Sequence, residues 1–368
     1  METKKPKVVI MYLLWDQEPY DYLSDAIAGV KAQTYPKEDM VFLIVYNSFK
    51  KGNSSACSYI REQIAAHKND LPHVHIAEQE ENLGFSGGNN LGMQWAIDNN
   101  YDYVILHNGD AYMESSTLTH LVKEMENDKM IGAAQPLILL DDNKDQINTA
   151  GNKLHFLGVG FGDLYKVNRH AIALPKVKDV GYVSGCAIMM RTDLLQKYGL
   201  WDEEYFMYHE DTDYSLRLKL FGYRTVLVSE SVFYHKYVFC KNIKNLYWIE
   251  RNRLALLLLY YKIPTLILIF PIGIFFEISL LLFSIKGGWL KQRLAVYVYW
   301  CNPKNIIRWL KKRRQIQKTR TISDKVLLQN VVSGIRFQEK AVENPILLYI
   351  GNPIMKVYWY IAYRCIFW

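Results

Sequence analysis

"HVHIAEQEENLGFSGGNNLGMQWAIDN" (73–99) combines three patterns: an apolar run of strand length, a segment rich in glycine and asparagine, and a run with helical spacing. The middle segment, 81–92, holds four glycines and three asparagines. Its spacing matches neither G-x-G-x-x-G nor a P-loop, which excludes two common nucleotide-binding signatures. We therefore predict a strand at 73–79, a loop at which the backbone approaches a ligand closely, and a helix at 90–99.

The same alternation of strands and helices extends in both directions along the chain. Continuous apolar runs predict further buried strands at 7–14, 40–47 and 102–110, and helical spacing predicts helices at 21–33 and 57–68. This order is typical of an α/β domain with a mainly parallel sheet flanked by helices. In such sheets ligands bind beyond the carboxyl ends of the strands, where 81–92 and "HNGD" (107–110) fall.

The following region is less regular. A helix is predicted at 116–128, then a loop-rich stretch to about residue 180 and a strand at 181–191. "EDTDYSLRLKLFG" (210–222) has a helical pattern that opens with acids and closes with glycine, which suits the two ends of a helix dipole. A last strand is predicted to end near His235.

The net charge of the chain differs sharply between its N-terminal and C-terminal parts. Residues 1–235 hold 22 Lys and Arg against 32 Asp and Glu, whereas residues 236–368 hold 22 against 5. A basic region binds either nucleic acid or anionic lipid. Apolar and aromatic segments surround the basic stretch 302–320, so we expect anionic membrane lipid as its partner and no nucleic acid.

The C-terminal region has the composition of a membrane-associating segment. Residues 263–285 carry a single charge, Glu277, and are long enough to span a bilayer. A single crossing would put the basic stretch 302–320 and the N-terminal domain on opposite sides of the membrane, so a re-entrant or interfacial hairpin kinked at Pro264 and Pro271 is favoured. The N-terminus lacks the pattern of a signal peptide. We therefore expect membrane association, with the remainder of the protein at the cytoplasmic face.

Three clusters of polar residues are candidates for chemistry. Asp110, with Asn108 nearby, follows a buried strand and is well placed to hold a divalent cation on a diphosphate, although "NGD" is also ordinary turn sequence. "YHEDTD" (208–213) places Glu210 and Asp211 beside aromatic residues, where a carboxyl pKa can rise towards that of a general base. The alternative is a helix start decorated with acids. His235 is either a metal ligand or a histidine satisfied by its neighbours.

Taken together, these motifs resemble the family 2 inverting glycosyltransferases over residues 6–260. They follow the same order, and the most specific are the segment at 81–92 and the one at 201–222. The resemblance is strongest to the rhamnosyltransferase-like branch that builds bacterial or archaeal surface polysaccharides. The basic stretch after an apolar segment also resembles membrane-associated members.

The resemblance implies a GT-A type, Rossmann-like fold. The catalytic domain would cover 1–250, with a nucleotide-sugar half at about 1–115 and an acceptor half at about 116–250. The helical membrane-associating region would cover 251–368.

It also implies roles for particular residues. Asp110 and His235 would hold Mg²⁺ or Mn²⁺, Asp211 would be the general base, and Glu210 would orient it or contact the acceptor. The donor, a dTDP- or UDP-sugar, would contact Asn47, Asn82, Gly84, Gly88, Asn89, Asn108, Asp110, Ser184 and Gly185.

The expected function is transfer of rhamnose or another hexose, with inversion, to a lipid-linked saccharide in surface polysaccharide or glycan biosynthesis. Two alternatives remain. A sugar nucleotidyltransferase would share the sheet and the diphosphate chemistry, but "MYLLWDQEPYD" (11–21) lacks the glycine-rich, basic loop that such an enzyme needs. A catalytically silent, membrane-bound glycan-binding scaffold would not need Asp110, Asp211 and His235.

Overall fold

The computed structural model describes residues 5–47, 54–79, 81–237, 244–336 and 344–368. The chain divides into two compact units. The first contains residues 1–152, 162–206 and 223–238, and the second contains 153–161, 207–222 and 239–368. The helix that carries Glu210 and Asp211 therefore belongs to the second unit, whereas Asp110 and His235 belong to the first.

The N-terminal part of the first unit is a parallel α/β arrangement, as predicted. Its strands β1 to β4 pair in the order β3-β2-β1-β4, all parallel. Strands β1, β2 and β4 are buried almost along their whole length, because helices cover both faces of the sheet. The elements are β1 (Val8–Leu14), α1 (Tyr20–Lys31), β2 (Met40–Tyr46), α2 (Ser55–Ala66), β3 (His73–Glu78), α3 (Gly84–Asp98) and β4 (Tyr103–His107).

The remaining strands extend the same sheet to the order β10-β12-β6-β11-β4-β1-β2-β3, in which β6 and β12 are parallel and β11 runs antiparallel between β6 and β4. Short strands β5 and β7 pair with β12 and β6, and β8 and β9 pair with each other. These elements are β5 (Ala111–Met113), α4 (Thr117–Asn127), β6 (Ile131–Leu140), β7 (Ile147–Thr149), β8 (Asn152–Leu154), β9 (Gly160–Gly162), β10 (Val177–Asp179), β11 (Ala187–Arg191), α5 (Thr192–Tyr198) and β12 (Arg224–His235).

The expectation of a loop-rich stretch up to residue 180 was wrong for β6. This strand is ten residues long, fully buried, and central in the sheet despite containing Pro136. Proline lacks the N–H that a ladder needs, so it is normally confined to edges and bulges. Here the neighbouring strand supplies the bulge, since Pro136 lies opposite Val228 and the next pair, Leu137 with Val232, is shifted by three residues on β12.

The segment 81–92 is mostly helical, whereas a loop was expected. Helix α3 begins at Gly84 instead of residue 90. The glycines allow the helix to pack closely on the sheet: a Cβ atom on Gly88 would lie 2.7 Å from Leu13 Cδ1 and 2.8 Å from Asn47 Nδ2, and one on Gly92 would overlap the Met11 sulfur. A ligand is therefore not needed to account for those two glycines.

The second unit is helical over most of its length. Its helices are α6 (Glu210–Leu220), α7 (Asn245–Tyr260), α8 (Ile263–Lys286), α9 (Leu290–Cys301), α10 (Pro303–Thr319), α11 (Asp324–Leu327) and α12 (Asn352–Cys365), with a π-helical turn at Leu347–Gly351.

The apolar segment forms one continuous helix, α8, so the expected hairpin is not formed. Pro264 occupies the first turn of α8, where no backbone N–H is needed, and Pro271 is accommodated in the interior. Among the described residues, α8 is the one helix long and apolar enough to cross a membrane, judged by length and composition alone.

Candidate active site

Asp110 lies in a tight turn at the carboxyl end of β4. The Asn108 side-chain amide donates to Asp110 Oδ1 at 2.7 Å, and the Asn108 backbone N–H donates to the carbonyl of Cys186 at 3.0 Å. The Asp110 side chain remains 37% exposed. The turn therefore holds a carboxylate at the edge of the sheet where α/β proteins bind ligands.

His235 meets this carboxylate from the end of β12. Its Nε2 atom lies 3.1 Å from Asp110 Oδ1, and its Nδ1 atom lies 3.1 Å from Asn148 Oδ1. Burial by itself would lower the pKa of His235, but Cys186 and the Asp110 carboxylate raise it, to about 10. The structure thus brings together two of the predicted site residues that are 125 positions apart in the sequence.

Glu18 was not predicted and lies at the same turn. Its carboxyl group packs against the backbone of Gly109, where a Cβ atom would be 2.6 Å from Glu18 Oε1. The side chain is buried, and burial together with the Asp110 charge raises the pKa of Glu18 to about 8. At neutral pH Glu18 is mostly protonated and adds little negative charge beside Asp110.

Asn47, Asn82 and Gly84 form one hydrogen-bonded group at the ends of β2 and β3. The Asn47 amide nitrogen donates to Asn82 Oδ1 at 3.3 Å and to the Gly84 carbonyl at 2.9 Å, while its oxygen accepts from the Leu83 N–H at 2.9 Å. Asn82 in turn accepts from the Gly84 N–H. These asparagines shape the backbone that leads into α3.

The start of α3 is tied to the segment that precedes α6 in the sequence. The Phe206 carbonyl accepts from the N–H groups of Phe85 and Ser86 at 2.8 and 3.1 Å. Asn90 exchanges a pair of hydrogen bonds with the backbone of Trp201, at 2.9 and 3.0 Å. The two most distinctive sequence segments are therefore in contact within the first unit.

Three other predicted donor-binding residues, Asn89, Ser184 and Gly185, differ in their surroundings. Asn89 is fully buried, its amide nitrogen donates to the Phe85 carbonyl at 2.8 Å, and its Oδ1 atom has no partner among the described residues. Ser184 and Gly185 precede β11, and the Ser184 N–H donates to Gln135 Oε1 at 2.9 Å. The next residue, Cys186, contacts Asn108 as described above, so 184–185 adjoin the Asp110 turn.

In the second unit, the acids of α6 differ in their environments. Glu210 is buried, and burial together with Asp211 and Asp213 raises its pKa well above the ordinary value. Its Oε2 atom has no hydrogen-bond partner among the described residues. Asp213 is buried and bonded to Arg217 and Tyr260. Asp211 is partly exposed and accepts from the Thr212 N–H at 2.6 Å.

The turn before α6 is strained, and a second unpredicted residue holds it. Tyr208 and His209 have φ angles of 66° and 72°, which are unfavourable for side chains of this size. Asn252, fully buried on α7, donates from its amide nitrogen to the carbonyls of Met207 and Tyr208 at 2.9 and 2.8 Å. Such strain often marks functional sites.

Within the described ranges, no group of three or more His, Cys, Asp or Glu side chains is arranged to hold a metal ion. Asp110 and His235 form a pair of candidate ligands among the described residues. A metal at this position would need further oxygen ligands from water or from a bound phosphate.

Comparison with known proteins decides the family. The model named "Glycosyltransferase like family 2" matches residues 6–253, about two thirds of the chain. The chain belongs to glycosyltransferase family 2. The resemblance inferred from the motifs is therefore confirmed, and the matched region includes Asp110, Asp211 and His235.

Curated relatives in this family match more distantly. The "Low-salt glycan biosynthesis hexosyltransferase Agl10" of Haloferax volcanii is 25% identical over 153 residues, covering 40% of this chain and 46% of the relative. The "N-acetylglucosaminyl-diphospho-decaprenol L-rhamnosyltransferase" of Mycobacterium tuberculosis is 27% identical over 189 residues, covering 45% and 60%. The chain thus spans about half the length of these relatives.

The fold of this chain is similar to that of a solved structure. The crystal structure of GalNAc-T7 with UDP, GalNAc and Mn²⁺ matches with a TM-score of 0.54 at 13% identity, covering 71% of this chain and 49% of that one. At that identity the likeness concerns the fold alone. The predicted GT-A type architecture, a mostly parallel sheet flanked by helices, is confirmed.

Proposed function

We propose that this protein transfers a hexose, such as rhamnose, from a nucleotide diphosphate sugar to a lipid-linked saccharide, with inversion at the anomeric carbon. The observation that carries the proposal is the pair of Asp110 and His235 at the ligand-binding edge of the sheet. Membership of glycosyltransferase family 2 supplies the reaction class. The names of the two relatives support a hexose donor and, in one case, a lipid-linked acceptor.

The Asp110–His235 pair would suit a divalent cation bound together with a diphosphate if the ion displaces the proton of His235, because only neutral imidazole can act as a ligand. Carboxylate oxygen is a good ligand for Mg²⁺ and Mn²⁺, and imidazole is accepted better by Mn²⁺. The partial exposure of Asp110 leaves room for phosphate oxygens beside it. When bound, the ion would offset the negative charge that develops on the departing diphosphate. Mn²⁺ in the GalNAc-T7 structure is consistent with this choice of cation.

The donor would be a UDP- or dTDP-sugar bound along the carboxyl edge of the sheet. Asn47, Asn82, Gly84, Gly88 and Asn89 would line its nucleotide and diphosphate. Asn108 would reach the ribose or a phosphate. Ser184 and Gly185, which adjoin the Asp110 turn, would border the sugar.

Asp211 is proposed as the general base. Burial raises the pKa of Glu210 and so favours its protonated form, and Asp213 is paired with Arg217. Asp211 is therefore the acid on this turn best suited to accept a proton. As the acceptor oxygen bonds to the anomeric carbon, its proton passes to Asp211 and the bond from that carbon to the diphosphate oxygen breaks. A single displacement inverts the configuration.

The acceptor would be held at the cytoplasmic face of the membrane. The apolar helix α8 exposes Ile267, Phe270, Ile278 and Leu282. The basic helix α10 would add attraction to anionic lipid headgroups. This arrangement supports membrane association and an acceptor carried on lipid.

The test is nucleoside diphosphate release by the full chain in detergent, with UDP-, dTDP- and GDP-sugars, Mn²⁺ or Mg²⁺, and a lipid-linked acceptor mixture. Asp211→Asn should lower turnover by about 10²–10⁴-fold while leaving donor binding in place. Asp110→Ala should abolish metal-dependent donor binding. Asp98→Asn, an exposed carboxylate on α3, is the matched control and should behave like the parent.

The proposal fails if no donor shows either metal-dependent binding or diphosphate release. Full activity of Asp211→Asn would be compatible with the transferase reaction, but it would mean that a residue other than Asp211 is the general base.

A further inference from the structure

A groove of about 450 Å³ runs along one side of α8 in the second unit. Its walls are almost entirely aliphatic and aromatic. One wall is contributed by α7 and the other by α8, and the residues that define them are Leu254, Leu257, Leu258, Phe270, Ile274 and Ile278. This volume falls in the range that small-molecule sites occupy.

Gly273 keeps the groove open at its middle. A Cβ atom added there would meet no atom within 4 Å, although Gly273 lies well inside α8. Glycine in a helix interior is unfavourable relative to alanine, so its presence is not explained by helix stability. Close packing does not explain it either, in contrast to Gly92 on α3.

The groove is continuous with the apolar surface of α8. Phe270, Ile274 and Ile278 line it and are 64%, 44% and 53% exposed. A hydrocarbon chain lying in a bilayer around α8 could therefore enter sideways without crossing water. An aqueous ligand would have to leave water for walls that offer few polar partners.

The charged residues at the base of the groove are already neutralised. Arg253 and Glu277 line it, and they are bonded to each other. Arg253 also donates to Glu250 at 3.0 Å, and Arg293 is bonded to both glutamates. Two guanidinium groups thus face two carboxylates, which leaves no net charge to attract an ionic ligand into the groove.

A basic helix adjoins the same wall. Arg313 on α10 donates to the carbonyl of Leu258, a groove residue, and to that of Tyr261 at 2.7 Å. The α10 residues Lys304, Lys311, Arg314 and Lys318 are exposed. An apolar groove beside a cationic helix is complementary to an amphiphile with a long hydrocarbon chain and a phosphate head.

We propose that this groove binds the hydrocarbon chain of the lipid carrier to which the acceptor saccharide is attached, with the carrier's phosphates beside α10. The identity of the lipid rests on the proposed function, whereas the groove and its charge pattern do not. The bound chain would hold the saccharide at a fixed depth in the membrane.

A photoactivatable decaprenyl diphosphate in phosphatidylcholine vesicles is the probe. The readout is cross-linking to the full chain that excess unlabelled decaprenyl diphosphate removes. Gly273→Phe should fill the groove and lower this cross-linking at least about tenfold, since each buried methylene contributes roughly fourfold in affinity. Gly273→Ala should stay within about twofold of the parent, because a methyl group leaves most of the groove open.

The matched control places the same side chain at a position of α8 that does not line the groove. Ser279→Phe projects into a separate apolar cavity of about 230 Å³ and should leave cross-linking unchanged. Thermal unfolding should show that both phenylalanine variants fold. Equal cross-linking in Gly273→Phe and the parent would overturn the proposal, as would loss in Ser279→Phe alone.

A second competition experiment distinguishes the lipid carrier from ordinary membrane lipid. Dioleoylphosphatidylglycerol should not displace the probe at the concentration at which unlabelled decaprenyl diphosphate does. Equal displacement by both lipids would mean that the groove binds phospholipids in general, and it would overturn the proposal. The readout does not involve sugar transfer. Failure of the transferase test alongside groove-dependent cross-linking would thus refute only the proposed function.

Discussion

Glu210, Asp211 and Asp213 lie within one turn of α6, yet their surroundings make them chemically different. Glu210 is buried without a hydrogen-bond partner for Oε2 among the described residues, Asp213 is bonded to Arg217 and Tyr260, and Asp211 remains partly exposed. The positive end of the helix dipole favours the negatively charged form of all three carboxyl groups. Burial favours the neutral form, and it raises the pKa of Glu210.

The raised pKa of Glu210 has a measurable effect on stability. Its folded-state pKa lies well above the ordinary value of 4.5, so the unfolded chain releases the proton first as pH rises. The free energy of unfolding therefore falls as pH rises above about 4.5, and it stops falling once the pH exceeds the folded-state pKa of Glu210. Glu210→Gln cannot release a proton, so its melting temperature relative to the parent should rise between pH 5 and pH 8.

Thermal unfolding of both proteins across that range is the measurement. Asp98→Asn, an exposed carboxylate, serves as the control and should follow the parent at every pH. Parallel curves for Glu210→Gln and the parent would show that Glu210 is ionised in the folded protein.

Helix α8 shows how an element is held when most of its surface is apolar. Glu277, its one acidic residue, is bonded to Arg253 on α7 and Arg293 on α9. Arg253 and Arg293 are 2% and 0% exposed, so these bonds lie in a region of low dielectric constant. Together with the hydrogen bond from the Thr265 hydroxyl to the buried Asp324 carboxylate, these bonds fix which side of α8 faces the other helices.

Removal of one carboxylate should destabilise this unit. Glu277→Gln leaves two buried guanidinium groups with the single charge of Glu250, and the expected loss is roughly 3 kcal/mol in the free energy of unfolding. The double variant Glu277→Gln/Arg293→Met restores one carboxylate to one guanidinium and should recover part of that loss. Denaturant unfolding in detergent measures both, and an unchanged stability of Glu277→Gln would contradict the interpretation.

Over the whole molecule, the excess of positive charge lies in the C-terminal third, whereas the remainder of the chain is net acidic. Residues 236–368 carry 22 basic and 5 acidic residues, and eight of the basic ones fall within 302–320. The second unit also exposes apolar side chains on α8 and α12, among them Ile267, Val357 and Ile361. Apolar exposure with positive charge is the combination expected at an anionic membrane surface.

Membrane affinity should therefore depend on α10. The triple variant Lys304→Gln/Lys311→Gln/Lys318→Gln should bind phosphatidylglycerol-containing vesicles more weakly, by about 1 kcal/mol for each lysine. The difference should shrink at high salt, because ions screen exposed charges. Vesicle co-sedimentation measures it.

A matched triple variant in the first unit, Lys37→Gln/Lys68→Gln/Lys123→Gln, is the control for net charge. It should retain vesicle binding. An equal loss in both variants would mean that overall charge, and not α10, governs association.

Local patterns predicted most of the elements. Strands β1 to β4 and helices α1, α2, α4 and α6 agree with the spacing of apolar residues to within a few positions. Strand β6 was missed because Gly132 and Pro136 resemble loop residues. Its position depends on pairing with β11 and β12, whose residues lie more than 50 positions further along the chain.

The roles assigned to the site residues stay predictions, but the structure shows which of the residues lie together. The motifs pointed to Asp110, Asp211 and His235, but Glu18 and Asn252 carried no local signal. Glu18 reaches Gly109 across 91 positions, and Asn252 bonds to backbone carbonyls 44 and 45 positions away. Single residues of common type become recognisable as site residues only when folding brings them to a turn.

The sequence by itself determined the α/β alternation, the family and the difference in net charge between residues 1–235 and 236–368, because each depends only on local spacing, motifs or composition. The tertiary structure alone decided that 84–92 is helical, that α8 is one continuous helix with a groove beside it, and that burial raises the pKa of Glu210 while Asp211 is partly exposed. Backbone approach, cavity shape and pKa depend on burial and on contacts between distant residues, which no local pattern records.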